Sequence, residues 1–190
     1  MKVTVGISRR HIHLTNTDIN KLFGNGYELT KLRDLSQKGQ FASNELLTIK
    51  TDKGEIKDVR VLGPARNYTQ VEITKTDSYI LGINPPVRES GDLNNSETVT
   101  IEGPNGTIIA TNSTIIANRH IHINDEELKL YNFKSGEKVK IKIMGEKGAV
   151  LENVVIKSDP SFTFELHLDT DDANAVLLKN KDEVEIIKGE

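Results

Sequence analysis

Short runs of Val, Ile, Leu and Thr alternate with polar positions along most of the chain, and Gly, Asn and Asp interrupt them every few residues. In a strand successive side chains point to opposite faces, so each run reads as a half-buried strand and each interruption as a turn. The pattern predicts strands over 3–7, 46–50, 56–62, 70–74, 99–102, 107–110, 115–116, 138–143, 154–156, 162–168 and 184–187. Asp52-Lys53-Gly54 joins two of them, with Gly54 able to supply a positive φ, and Gly103-Pro104-Asn105-Gly106 joins another two. Helices are minor elements. Thr15 can cap one that carries Asp18, Ile19, Leu22 and Phe23 and stops at Gly24. Asn124, with Glu127 three residues on, forms a capping box ahead of Leu128 and Leu130. The expected fold class is mainly β, small antiparallel sheets or barrels with short helices.

An internal echo organises the chain. Ser8-Arg9-Arg10-His11-Ile12-His13-Leu14 returns as Ala117-Asn118-Arg119-His120-Ile121-His122-Ile123, 109 positions later (120 − 11), and each copy opens one of the two capped helices. A strand, a His-x-His and a helix, repeated in that order, indicate internal duplication.

Composition acts by exclusion. A length of 190 residues suits one larger domain or two small ones. The absence of cysteine removes disulfides, zinc-thiolate clusters and any thiol nucleophile. A net charge of −3 with both signs interspersed offers no basic stripe for nucleic acid and no polybasic segment for a membrane surface, so small diffusible partners are expected. No apolar run reaches the roughly 18 residues of a membrane-spanning helix. Met1-Lys2-Val3-Thr4-Val5 leads straight into the first motif, which suggests a cytoplasmic location.

Four of the five histidines fall in the two His-x-His pairs, and His167 stands alone. Residues two apart in a strand share a face, so His11 and His13 can converge on one cation, and His120 and His122 on another. Catalytic zinc sites take three protein donors and keep a position open, so each pair needs a partner. Alternation puts His167 on one face with Glu165 and Asp169, available to complete one site, while Glu72, beside Gln70 on the polar face of its strand, is the candidate for the other. The plainer alternative, histidines with hydrogen-bonding roles only, would suit one such pair better than two copies in equivalent positions. Arg10 and Arg119 should point away from the imidazoles and tie each strand to a carboxylate.

Arg66, behind the turn Gly63-Pro64-Ala65, offers a planar guanidinium for bidentate binding of phosphate, and it can share a site with Gln70 and Glu72 if the chain bends at Asn67-Tyr68. The polar loop Pro85-Pro86-Val87-Arg88-Glu89-Ser90-Gly91-Asp92 adds Arg88 and Ser90 as further anion contacts. Arg66, Gln70, Arg88 and Ser90 are therefore the candidate phosphate-binding residues.

Taken together the motifs closely resemble the PduL-type phosphate acyltransferases, or phosphate propanoyltransferases, over nearly the whole chain. The matching segments are the two histidine motifs, Leu35-Ser36-Gln37-Lys38-Gly39-Gln40-Phe41, Val61-Leu62-Gly63-Pro64, Thr69-Gln70-Val71-Glu72-Ile73 and the 85–92 loop. The resemblance implies two small antiparallel β-barrel domains with short capping helices. One comprises residues 1–9 with 118–190, so that the N-terminal strand joins the C-terminal half; the other comprises 10–117. It further implies two divalent metal ions per chain, usually zinc, one held by His11, His13 and Glu72 and the other by His120, His122 and His167, with Arg66 as the catalytic, phosphate-binding arginine. Its implied substrates and products are acyl-CoA, phosphate, acyl phosphate and coenzyme A, and its implied assembly is a homodimer. Arg9 stands where the family typically has Asn, which would add a charge on the His11 face. The amphipathic N-terminal extension of compartment-associated members is not visible, which favours a free cytosolic enzyme. Two other readings compete: a zinc hydrolase acting on a thioester or a phosphorylated small molecule, and a metal-binding interaction module without catalysis.

Overall fold

In the computed structural model, which describes residues 1–188, the alternating runs become strands. β1 (Lys2–Ser8) leads through β2 (His11–His13) into helix α1 (Asn16–Phe23). β3 (Lys31–Asp34), β4 (Phe41–Lys50), β5 (Glu55–Gly63) and β6 (Gln70–Glu72) precede α2 (Lys75–Leu81), and β7 (Val87–Arg88), β8 (Glu97–Glu102) and β9 (Thr107–Ala117) end the first half. The second half runs β10 (His120–Ile123), α3 (Asp125–Leu130), β11 (Lys138–Ile143), β12 (Ala149–Ser158), β13 (Glu165–Asp169), α4 (Thr170–Ala175) and β14 (Glu183–Ile187).

Two compact units result. The first holds Met1–Ser8, Ser36–Lys38 and residues 118–188; the second holds Arg9–Leu35 and Gly39–Ala117. In the first, β1-β13-β10-β12-β11-β14 closes into a barrel. In the second, β9-β6-β2-β5-β4-β8 closes in the same way, with β3 and β7 attached outside. Closure pairs every barrel strand on both sides, and only the short β3 and β7 keep an open edge. The two orders correspond strand for strand, down to two parallel pairs in each: β1–β13 with β10–β12, and β9–β6 with β2–β5. The expected two barrels are present, and their pairing is mixed rather than purely antiparallel. The reason is connectivity: β1 and β9 each run into a His-x-His strand of the other unit, and a strand not joined to its neighbour by a hairpin is free to pair in parallel.

Each unit has its own core, around Ile12, Leu14, Leu22, Ile49 and Ile101 in one and Val5, Ile121, Ile141, Ile156 and Leu166 in the other. Every such fully buried aliphatic side chain contributes roughly 1.5–3 kcal/mol relative to exposure. The predicted runs 107–110 and 115–116 are the two ends of β9, made continuous where Asn112 takes a positive φ and Ser113 Oγ donates to the Ala110 carbonyl at 2.8 Å. Gly54 is needed for space rather than for φ, since a Cβ there would collide with the Ile80 carbonyl oxygen.

The helix ends follow local chemistry. Thr15 caps α1 and Gly24 ends it, as the sequence predicts. Asn124 accepts from the Glu127 N–H at 2.9 Å, but Glu127 returns to the Asn124 side-chain amide at 2.8 Å instead of to its backbone, so only half a capping box forms. The complete box is at α2, between Thr74 and Asp77. Arg10 pairs with that same Asp77 at 3.2 Å, and Arg119 grips Asp172 in α4 through two bonds of 2.9 and 2.7 Å, so each arginine ties a histidine strand to a helix as its position suggests. Asp77→Ala removes a cap and a buried ion-pair partner together. It is expected to lower stability by roughly 2–4 kcal/mol, read from urea denaturation.

Candidate functional site

β2 is short, and its flat alternation sends both imidazoles to one side, with ring centroids 5.0 Å apart. β6 runs antiparallel beside it, placing Glu72 opposite His11 and Gln70 opposite His13. His11 Nδ1 donates to the Arg9 carbonyl at 2.8 Å, which leaves Nε2 facing Glu72 Oε2 at 3.4 Å. Arg9 itself lies outside β2 and is exposed, so it meets His11 through its backbone and not through its charge. One donor atom from each of His11, His13 and Glu72 lies within 4.8 Å of the others. Burial would lower the pKa of both imidazoles. At His11 the charge and hydrogen bond of Glu72 outweigh it and raise the pKa; at His13 burial prevails, aided by His11 and Arg66, and holds it well below the usual range. His13 Nδ1 is buried, and no hydrogen bond of normal length and angle reaches it.

Arg66 joins this centre. The backbone bends at Asn67 and Tyr68, as required, and the Arg66 N–H is pinned to the Leu14 carbonyl at 2.8 Å. Its Nη1 donates to Ser90 Oγ at 3.1 Å, Gln70 Nε2 donates to the same oxygen at 2.8 Å, and Gln70 Nε2 also reaches Glu72 Oε1 at 2.6 Å. The Gly91 N–H fixes the other end of the Gln70 amide at 2.7 Å. Guanidinium, hydroxyl, amide and carboxylate thus form one continuous path to the histidines. Arg88 stays off that path: its Nε pairs with the exposed Asp92 at 3.5 Å.

The first unit carries the corresponding centre. β10 and β13 pair antiparallel with His167 opposite His120 and Glu165 opposite His122. His167 stacks on His120 with centroids 5.0 Å apart and lies 4.4 Å from His122, against which Phe162 packs. Donor atoms of the three histidines also fall within 4.8 Å of one another. His120 Nδ1 meets the Asn118 carbonyl at 2.7 Å, repeating the His11 arrangement. Around His167 stand Glu165, 3.1 Å from Nε2, and Gln37, 3.3 Å from the same atom. Burial would raise the Glu165 carboxyl, but bonds from His167, Ser36 and Gln37 outweigh it and hold it below the usual carboxylate range.

Two donors at about 2.1 Å on a tetrahedral zinc stand about 3.4 Å apart, and imidazole with carboxylate is the donor set of catalytic zinc. The His11–Glu72 separation of 3.4 Å meets that figure. In each triad three donors within 4.8 Å of one another form a group that could hold a divalent cation.

A family model described as phosphate propanoyltransferase matches residues 4–179, a span that contains both triads and the 85–92 loop. The chain belongs to the phosphate propanoyltransferase family. The phosphate propanoyltransferase of Priestia megaterium is 52% identical over 180 residues, covering 95% of this chain and 83% of that protein. That of Thermotoga maritima is 44% identical over 187 residues (98% and 89%), and that of Rhodopseudomonas palustris 43% over 187 residues (98% and 83%). Membership makes the chain an acyltransferase.

Sequence reasoning gives no site role to Ser36, Gln37 or Glu165, which gather around His167. Glu165 shares the polar face of β13 with His167, a visible signal. Ser36 and Gln37 lie between β3 and β4, far from β13 along the chain, and no local pattern links them to it. Among the described residues no helix is long and apolar enough to cross a membrane.

Proposed function

We propose that this chain interconverts acyl-CoA and inorganic phosphate with acyl phosphate and coenzyme A by direct transfer, on acetyl or propanoyl groups. We further propose a zinc ion at each triad, and a homodimer working in the cytoplasm. The observation that carries this reading is the path from Arg66 through Ser90 and Gln70 to Glu72, which sets a fixed guanidinium beside a His-His-Glu donor set.

Arg66 and Ser90 Oγ bind phosphate and aim one oxygen at the thioester carbonyl carbon. Arg88 is available to an incoming anion by exchanging its exposed partner Asp92. As the new C–O bond forms, the C–S bond breaks and its electron pair leaves on the coenzyme A sulfur. A bound divalent ion would supply Lewis-acid stabilisation of the charge that develops on the carbonyl oxygen. Gln70 keeps Glu72 in place through this change. With no cysteine in the chain, the acyl group is not parked on an enzyme thiol.

Release of thiol from acetyl-CoA and propanoyl-CoA, followed with and without phosphate, tests the assignment. Thiol release should depend on phosphate and match acyl phosphate formed one to one. Release at a comparable rate without phosphate would identify a hydrolase instead.

A further inference from the structure

The two triads differ at two paired positions, and the differences cancel in charge. The third donor is a carboxylate in one centre, Glu72, and an imidazole in the other, His167. Two residues earlier on the same strand the exchange reverses: Gln70 opposite His13 is neutral, and Glu165 opposite His122 is acidic. The bond partners reverse with it. Gln70, fully buried, donates to Glu72 at 2.6 Å; Glu165, 9% exposed, stands 3.1 Å from His167 Nε2. Each centre therefore contains one carboxylate, used as a donor in one case and held beside the donor in the other.

We propose that Glu165 is a positioning residue of the His120, His122 and His167 centre, where its carboxylate supplies the negative charge that three imidazoles lack and orients His167. This rests on the reading of that triad as a divalent-cation site. The surroundings are built for the carboxylate. Gly6 on β1 lies in register with His167, and a Cβ there would stand 2.8 Å from Glu165 Cδ, so the position exists because residue 6 has no side chain. Ser36 Oγ and Gln37 Nε2 both donate to Glu165 Oε2, and the Thr163 N–H fixes the Gln37 amide at 3.1 Å. A carboxylate serving only to anchor Ser36 and Gln37 would not need to sit against the third donor, nor to complement the Gln70 and Glu72 pair position by position.

Zinc titration of the metal-free full-length chain against a chromophoric chelator decides the matter without using activity. The parent protein should bind two Zn²⁺. Glu165→Gln, which keeps the side-chain shape, should weaken one site by roughly 10- to 100-fold and leave the other alone. Combining Glu165→Gln with His167→Glu gives this centre the donor pattern of the first and should restore affinity to within about tenfold. If the parent binds a single Zn²⁺, the reading of the triad fails and the proposal with it. If the parent binds two and Glu165→Gln keeps both affinities, the cation site stands and the role of Glu165 is overturned. Far-ultraviolet circular dichroism of the metal-free variants checks folding. Should Glu165→Gln fail to fold, the double exchange decides alone: recovered binding supports the proposal, and lost binding or lost folding refutes it.

Discussion

Arg66→Ala should lower the rate of acyl phosphate formation by roughly 100- to 1,000-fold, the usual cost of deleting one preorganised group that stabilises developing charge. The fold should tolerate the change. Arg66 is only half-buried, and its structural bond to the Leu14 carbonyl comes from the backbone N–H, which alanine retains. What disappears is the guanidinium at the head of the path through Ser90 and Gln70. Arg66→Lys should recover only part of the loss, because an ammonium cannot grip phosphate bidentately. Steady-state kinetics with phosphate varied, set beside zinc content and melting temperature, is the measurement. An alanine variant that turns over near the parental rate with unchanged metal would remove Arg66 from the chemistry and leave the phosphate site to be sought elsewhere.

How much of this was legible beforehand differs from element to element. The His-x-His echo needed only strand geometry, because a period of two forces paired imidazoles to one side. Glu72 and His167 could be named as third donors because each sits at a polar position of an alternating strand. Assigning one to each pair required the register of β6 on β2 and of β13 on β10, which no local pattern encodes. The same limit hid Gln37 beside His167 and Ser36 beside Glu165. Helices α2, α3 and α4, at seven, six and six residues, are all too short to show a helical period; α3 was legible from its cap, and the caps Thr74 with Asp77 and Asp169 with Asp172 were the same signal for the other two. The parallel pairs follow from strands entering each unit out of the other half, a matter of topology that alternation cannot report. Arg88 is the converse case: charge within a polar loop suggested an anion contact, and its side chain is turned to the exposed Asp92.

Glu72→Gln should reduce zinc in the purified protein from two ions per chain to one and lower activity by about three orders of magnitude. Glu72 is the only carboxylate of its triad, and the neighbouring groups are two imidazoles and the Arg66 guanidinium, whose field already opposes positive charge at both His11 and His13. A charge pair at 4 Å is worth about 4 kcal/mol at an effective dielectric of 20, close to a thousandfold in affinity. Without that carboxylate a divalent ion would face imidazole dipoles and a cation with nothing to balance them. The glutamine side chain preserves volume, so the chain from Gln70 to Ser90 should persist and the metal-free protein should melt within a few degrees of the parent. The His120, His122 and His167 centre lies in the other unit with its own carboxylate, Glu165, and should keep its ion. Elemental analysis beside phosphate-dependent thiol release reads both effects at once. Retention of two ions with full activity would mean that Glu72 is a bystander to the donor set; loss of both ions would mean that the two triads do not bind independently.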